Sequence, residues 1–92
     1  MEIKVYSTSG CFYCDQLKEL FRRAELTYDL TEVVDDIRVQ GEDKIQKSEF
    51  SAKYPSVSGF PYVIIDGVEI GGLVDTAKHL VEKGLVSSSG TR

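Results

Sequence analysis

The chain opens on a short alternation. Ile3 and Val5 fall on one side and Lys4 on the other, which predicts a strand over residues 2–6. The polar run Ser7-Thr8-Ser9-Gly10 ends it. From Cys11 to Ala24 the period changes. Leu17, Leu20, Phe21 and Ala24 recur at i, i+3, i+4 and i+7, a single apolar stripe on a helix. Cys14 lies three residues before Leu17 on that stripe, so its thiol is expected to face inward. Tyr28 and Leu30 alternate with Thr27 and Asp29, a second strand. Strand, helix and strand in so few residues imply a right-handed parallel βαβ unit.

The pattern from Val33 to Gly41 is poor. A second helix is expected from about Glu42 to Tyr54, with Ile45, Phe50 and Ala52 inward and Pro55 as its stop. Tyr62-Val63-Ile64-Ile65 is a continuous apolar run, as in a strand buried on both faces. Asp66-Gly67 signals a tight hairpin, and Val68 and Ile70 return antiparallel until Gly71-Gly72. A last helix is expected over about Val74–Lys83, with Ala77, Leu80 and Val81 inward and Gly84 as its stop. The order is β-α-β-α-β-β-α: an α/β fold, with a four-stranded mixed sheet flanked by helices.

Composition adds bounds. With 92 residues the chain forms one domain. It is expected to span residues 1–86 and to leave 87–92, which has no apolar residue, as a frayed tail. At 41% hydrophobic and 28% charged it reads as a globule and not as a disordered chain. No apolar run approaches the ~20 residues that cross a bilayer, and Glu2 and Lys4 interrupt the first apolar stretch, against a signal peptide. Eleven basic and fifteen acidic side chains give −4, without the basic footprint of a nucleic-acid binder or a membrane-surface protein.

Chemistry concentrates in three places. The two cysteines are Cys11 and Cys14, a lone C-x-x-C near a βαβ pattern, which reads as a redox motif in a reducing compartment, the cytoplasm. A thiolate is the nucleophile in thiol exchange, and a free cysteine supplies only a few per cent of it at neutral pH. A helix N-terminus at Cys11 would favour the anion through its free N–H groups and dipole. Cys14, one turn on, is near enough to attack the mixed disulfide that forms. Cys11 is therefore assigned as nucleophile and Cys14 as resolving thiol. The competing reading is a zinc half-site. Structural zinc almost always takes four ligands, and His79 is the one other strong candidate, so no metal is expected.

The second place is Gly59-Phe60-Pro61-Tyr62. Pro61 precedes a buried strand. By base rate its peptide bond is trans, since cis is ~5–6% of X–Pro bonds. A cis bond would turn the Phe60 main chain outward to pair with an extended peptide. The third is Gly71-Gly72-Leu73-Val74-Asp75, read equally well as a tight turn or as a ligand site at a helix N-terminus. Tyr13 and Lys53 remain as outlying candidates.

In this order the three features resemble the glutaredoxins, small oxidoreductases of the thioredoxin-like fold. The likeness covers residues 1 to about 85 and rests on Cys11-Phe12-Tyr13-Cys14, on Phe60-Pro61 before Val63-Ile64-Ile65-Asp66-Gly67, and on Ile70-Gly71-Gly72. It implies a cis Pro61 and a groove for glutathione beside Cys11. The Phe60 main chain would meet the cysteine moiety, and Gly72, Leu73, Val74 and Asp75 the γ-glutamyl end. Tyr13 would flank the groove and Lys53 would meet the glycine carboxylate. It further implies a monomer that reduces protein disulfides or glutathione mixed disulfides, with ribonucleotide reductase as one electron acceptor.

The chain departs from the family pattern at Phe12, where dithiol members mostly have proline, and at Thr8, where many have Lys or Arg. It departs also at Phe60, usually Val, at Val74, where an acidic or hydroxylated residue is common, and in a longer, more charged stretch over 33–54. These suggest a divergent member, of the bacteriophage type. They leave two alternatives open: a redoxin reduced by thioredoxin reductase, and a carrier of a [2Fe–2S] cluster held by the first cysteine and glutathione.

Overall fold

The computed structural model describes residues 1–57 and 59–85. The tail expected at 87–92 lies outside them. The elements are β1 (Ile3–Ser7), α1 (Phe12–Arg23), β2 (Asp29–Val34), β3 (Lys44–Gln46), α2 (Lys47–Lys53), β4 (Tyr62–Ile65), β5 (Val68–Gly71) and α3 (Leu73–Glu82). One mixed sheet has the order β3-β2-β1-β4-β5. β1 runs parallel to β2 and antiparallel to β4. The fold is α/β and thioredoxin-like, as expected, with five strands in place of four.

Alternation divides the sheet into two faces. Ile3, Val5, Val63 and Ile65 point to one face and pack with Leu17 and Phe21 of α1 and Leu80 of α3. Tyr6, Val33, Tyr62 and Ile64 point to the other and meet Phe50 of α2. β4 is buried along its whole length, because helices cover both of its faces. At the β4–β5 turn Asp66 and Gly67 have φ of 51° and 81°, the pair of positive values that a tight hairpin of right-handed strands requires. The Asp66 N–H also donates to Glu2 O at 2.8 Å, which ties the hairpin to the N-terminus.

The expected helix over 42–54 is corrected. Its first part is β3, which pairs in parallel with β2 through Glu32↔Lys44, Val33↔Ile45 and Val34↔Gln46. Ile45 is thus a strand residue packed against the second core, and Ala52 is exposed. Parallel neighbours usually need a crossover of a dozen or more residues. Here β3 is so short that the unhelical segment 35–43 can return the chain. Gln46 fastens that segment: its Nε2 donates to Asp36 O and Val39 O, both at 3.1 Å. With its side chain so engaged, Gln46 gives α2 no side-chain cap, and the helix is anchored by Phe50 alone among its seven residues.

Candidate active site

β1 delivers the chain through Ser7-Thr8-Ser9-Gly10 to Cys11, which is the N-cap of α1 in extended conformation. N-caps are usually Ser, Thr, Asp or Asn, whose side-chain oxygen accepts an N–H of the first turn. Here sulfur takes that place: the Cys14 N–H donates to Cys11 Sγ at 3.1 Å. Cys11 is partly exposed and Cys14 is 2% exposed, the inward position that the apolar stripe predicted. Burial, reinforced by a hydrogen bond to Cys11, pushes the Cys14 thiol up to about 12. A hydrogen bond from the Thr8 backbone and the charge of Lys18 pull the other way but are the smaller influence. Cys14 therefore keeps its proton at neutral pH, and its N–H is directed at the Cys11 sulfur. Such hydrogen bonds are stronger to a charged acceptor than to a neutral one.

The two residues between the cysteines point outward. Phe12 is 67% and Tyr13 60% exposed, with their rings edge to face 5.7 Å apart. The Phe60–Pro61 bond is cis. The bulk of Phe60 is taken up by the second core, where its ring stacks on Phe50 at 5.4 Å.

At the start of α3, Gly71 has a φ of 121°, and a Cβ there would stand 2.7 Å from Asp75 Oδ2. The glycine is required by its backbone angle, and a side chain there would also displace the exposed Asp75 carboxylate packed against it. Gly72 faces Pro61 O, 3.6 Å from where its Cβ would lie, an ordinary contact. Gly72 is also the N-cap of α3 and offers no side chain to cap it, so first-turn N–H groups are left for another acceptor.

Ser56, Val57, Phe60, Pro61, Gly72 and Asp75 surround an open cavity of about 360 Å³. Four of these are residues the sequence singled out, brought together from two separate segments. Ser56 and Val57 were missed; their one sequence signal is their place between the end of α2 and the proline. The remaining candidates do not line this cavity. Leu73 packs against the first core, Val74 is 65% exposed, and Tyr13 stands beside Phe12. Lys53 ends α2 with Nζ 5.7 Å from the Tyr54 ring centroid. His79 is half-buried on α3. Among the described residues no three of His, Cys, Asp and Glu gather as a metal site. A second cavity, of about 290 Å³, adjoins Cys11 on the side of the β1–α1 loop and β2.

The glutaredoxin family model matches residues 3–70. No curated protein matches the chain. Among solved structures, glutaredoxin 1 from Francisella tularensis is 27% identical with a TM-score of 0.67, over 91% of this chain and 95% of that one. Escherichia coli glutaredoxin is 28% identical with a TM-score of 0.58, over 90% and 96%. A wheat glutaredoxin is 27% identical with a TM-score of 0.61, over 91% and 74%.

Proposed function

The chain belongs to the glutaredoxin family and is a thiol–disulfide oxidoreductase, and from that premise we propose that glutathione is its reductant and Cys11 its nucleophile. The observation that carries the reading is the cavity shared by Phe60, Pro61, Gly72 and Asp75. Its volume is at the lower end of small-ligand sites, ~300–1,000 Å³. Its chemistry suits a γ-glutamyl group: the α3 N-terminus offers N–H groups to a carboxylate, and Asp75 offers a carboxylate to an ammonium.

The reaction follows from the asymmetry of the two thiols. Cys11 as thiolate attacks one sulfur of a substrate disulfide. A Cys11–substrate disulfide forms and the other substrate sulfur leaves as a thiolate. Cys14 then gives up its proton and attacks Cys11 Sγ. The Cys11–Cys14 disulfide forms and the second substrate thiolate leaves. Two electrons and two protons pass from the dithiol to the substrate. Two glutathione thiols restore the dithiol and become glutathione disulfide.

By family resemblance the substrates include protein disulfides, that of ribonucleotide reductase among them, and the enzyme acts as a monomer in the cytoplasm. No helix among the described residues is long and apolar enough to cross a membrane. The test is steady-state reduction of a small glutathione mixed disulfide, coupled to glutathione and glutathione reductase. Turnover is expected, and it should vanish in Cys11→Ser. Turnover with thioredoxin reductase as the only effective reductant would refute the glutathione reading.

A further inference from the structure

The cavity next to Cys11 has no lining residue in common with the one around Gly72. It lies on the sheet face that carries α1 and α3. Both helices pack over β1, β4 and β5 on that face, and the same face of β2 is left open. Leu30 of β2 is 37% exposed there, and Glu32 is in register with Ser7 of β1. The floor is thus the carboxyl end of β1 at Ser7 and the middle of the parallel strand β2 at Leu30 and Glu32. Asp15 and Lys18 of α1 form one wall. The opposite wall is Asp43, which the unexpected strand β3 brings there: Asp43 O accepts the Glu32 N–H at 2.8 Å.

Two independent properties point to a polar occupant. Ser7 lines the cavity at only 4% exposure, so its floor carries a hydroxyl where the rest of that face is apolar. The charge is unbalanced as well. Lys44 Nζ is 2.8 Å from Glu32 and 4.0 Å from Asp43, so the three carboxylates that line the cavity, Asp15, Glu32 and Asp43, are opposed by two lysines, Lys18 and Lys44. Asp43 is 73% exposed and at 4.0 Å only loosely paired with Lys44, so its carboxylate is accessible to an incoming cation.

We propose that this groove receives the polypeptide flanking the disulfide of a protein substrate, and that it selects a lysine or arginine close to the cysteine that Cys11 attacks. The inference rests on Cys11 as nucleophile. It assigns protein and glutathione to two cavities that share no lining residue, so the two need not compete for the same residues. It also gives the connection between β2 and β3 a purpose: its last residue, Asp43, supplies the acidic wall.

The test uses two synthetic peptides, each joined through its one cysteine to glutathione and differing only in lysine or glutamate beside that cysteine. Their kcat/KM values are compared within one enzyme preparation, so that a loss of folded protein cancels. Wild-type protein is expected to prefer the lysine peptide by about two- to fivefold for each carboxylate engaged, the range of partly exposed charge pairs. The preference should fall in Asp43→Asn, fall to unity or invert in Asp43→Lys, and shrink in 0.5 M salt as screening tightens. A wild-type ratio of one, or an unchanged ratio in Asp43→Lys, overturns the groove while leaving glutathione-dependent turnover intact. Failure of wild-type protein to reduce either peptide or a small mixed disulfide would overturn the proposed function and the groove together.

Discussion

Replacing Gly71 by alanine isolates the joint between β5 and α3. The backbone there has a φ of 121°, a region costing an L-residue on the order of 1–3 kcal/mol. The new Cβ would meet Asp75 Oδ2 at 2.7 Å, with the Asp75 Cβ at 3.4 Å. The carboxylate must swing off its rotamer, at roughly 0.5–1.5 kcal/mol. Together Gly71→Ala should cost about 2–4 kcal/mol. In a domain of this size 1 kcal/mol moves the melting point by about 4–8 °C, so Tm should fall by at least about 8 °C. The KM for glutathione should rise as well, because the displaced carboxylate is the proposed ammonium partner. Thermal melts followed by circular dichroism, in wild-type and Asp75→Ala backgrounds, separate the two contributions. The backbone share should persist in Asp75→Ala and the clash share should disappear. A loss below 0.5 kcal/mol, or an identical loss in both backgrounds, would refute the account of why a glycine stands here.

Three further outcomes are expected. The reduced protein should hold its stability up to about pH 9 and lose it on going to about pH 12. Cys14 is raised from 9.0, and Tyr6 and Tyr62 from 10.0, each to about 12 by burial foremost. Between those limits the unfolded chain releases protons that the folded chain retains, so unfolding is favoured as pH rises; Tm against pH checks this, and Cys14→Ser should start its decline nearer pH 10. Cys14→Ser should also leave reduction of small glutathione mixed disulfides in place while protein substrates become trapped on Cys11, visible as a mixed-disulfide adduct by mass spectrometry. Phe50→Ala should cost roughly 3–5 kcal/mol, a large part of the ~5–15 kcal/mol that holds a small domain together, because Phe50 is 2% exposed and touches Tyr6, Tyr54, Phe60 and Tyr62; urea titration measures it.

The legible parts of the sequence were those where period and chemistry agree. The stripe of α1 carried Cys14 inward along with Leu17 and Phe21, and Asp66-Gly67 supplied both positive φ values of the hairpin. The unread part was 33–46. β3 has only three residues, two of them long and polar, and its one apolar side chain, Ile45, sits seven positions before Ala52 and so mimics a helical stripe. What makes it a strand is its register against β2 and the grip of Gln46 on the 36–39 carbonyls, neither of which is local in sequence. In the site, the glycine pair was visible but not its division of labour, since only the fold puts the Asp75 carboxylate against Gly71. Lys53 was assigned by resemblance, as a basic residue for a carboxylate, and its Nζ stands 5.7 Å from the Tyr54 ring centroid.

The outermost strands of an open sheet decide whether molecules of one protein adhere to each other. Here both borders are poor templates. β3 offers three residues, with Lys44 committed to Glu32. β5 meets β4 through a shifted register and stops at a glycine. A second copy approaching either border would find too short or too irregular a row of main-chain groups to extend. The molecule can therefore keep a reactive sulfur at its surface and be crowded with its own kind, without its sheets joining end to end into fibres.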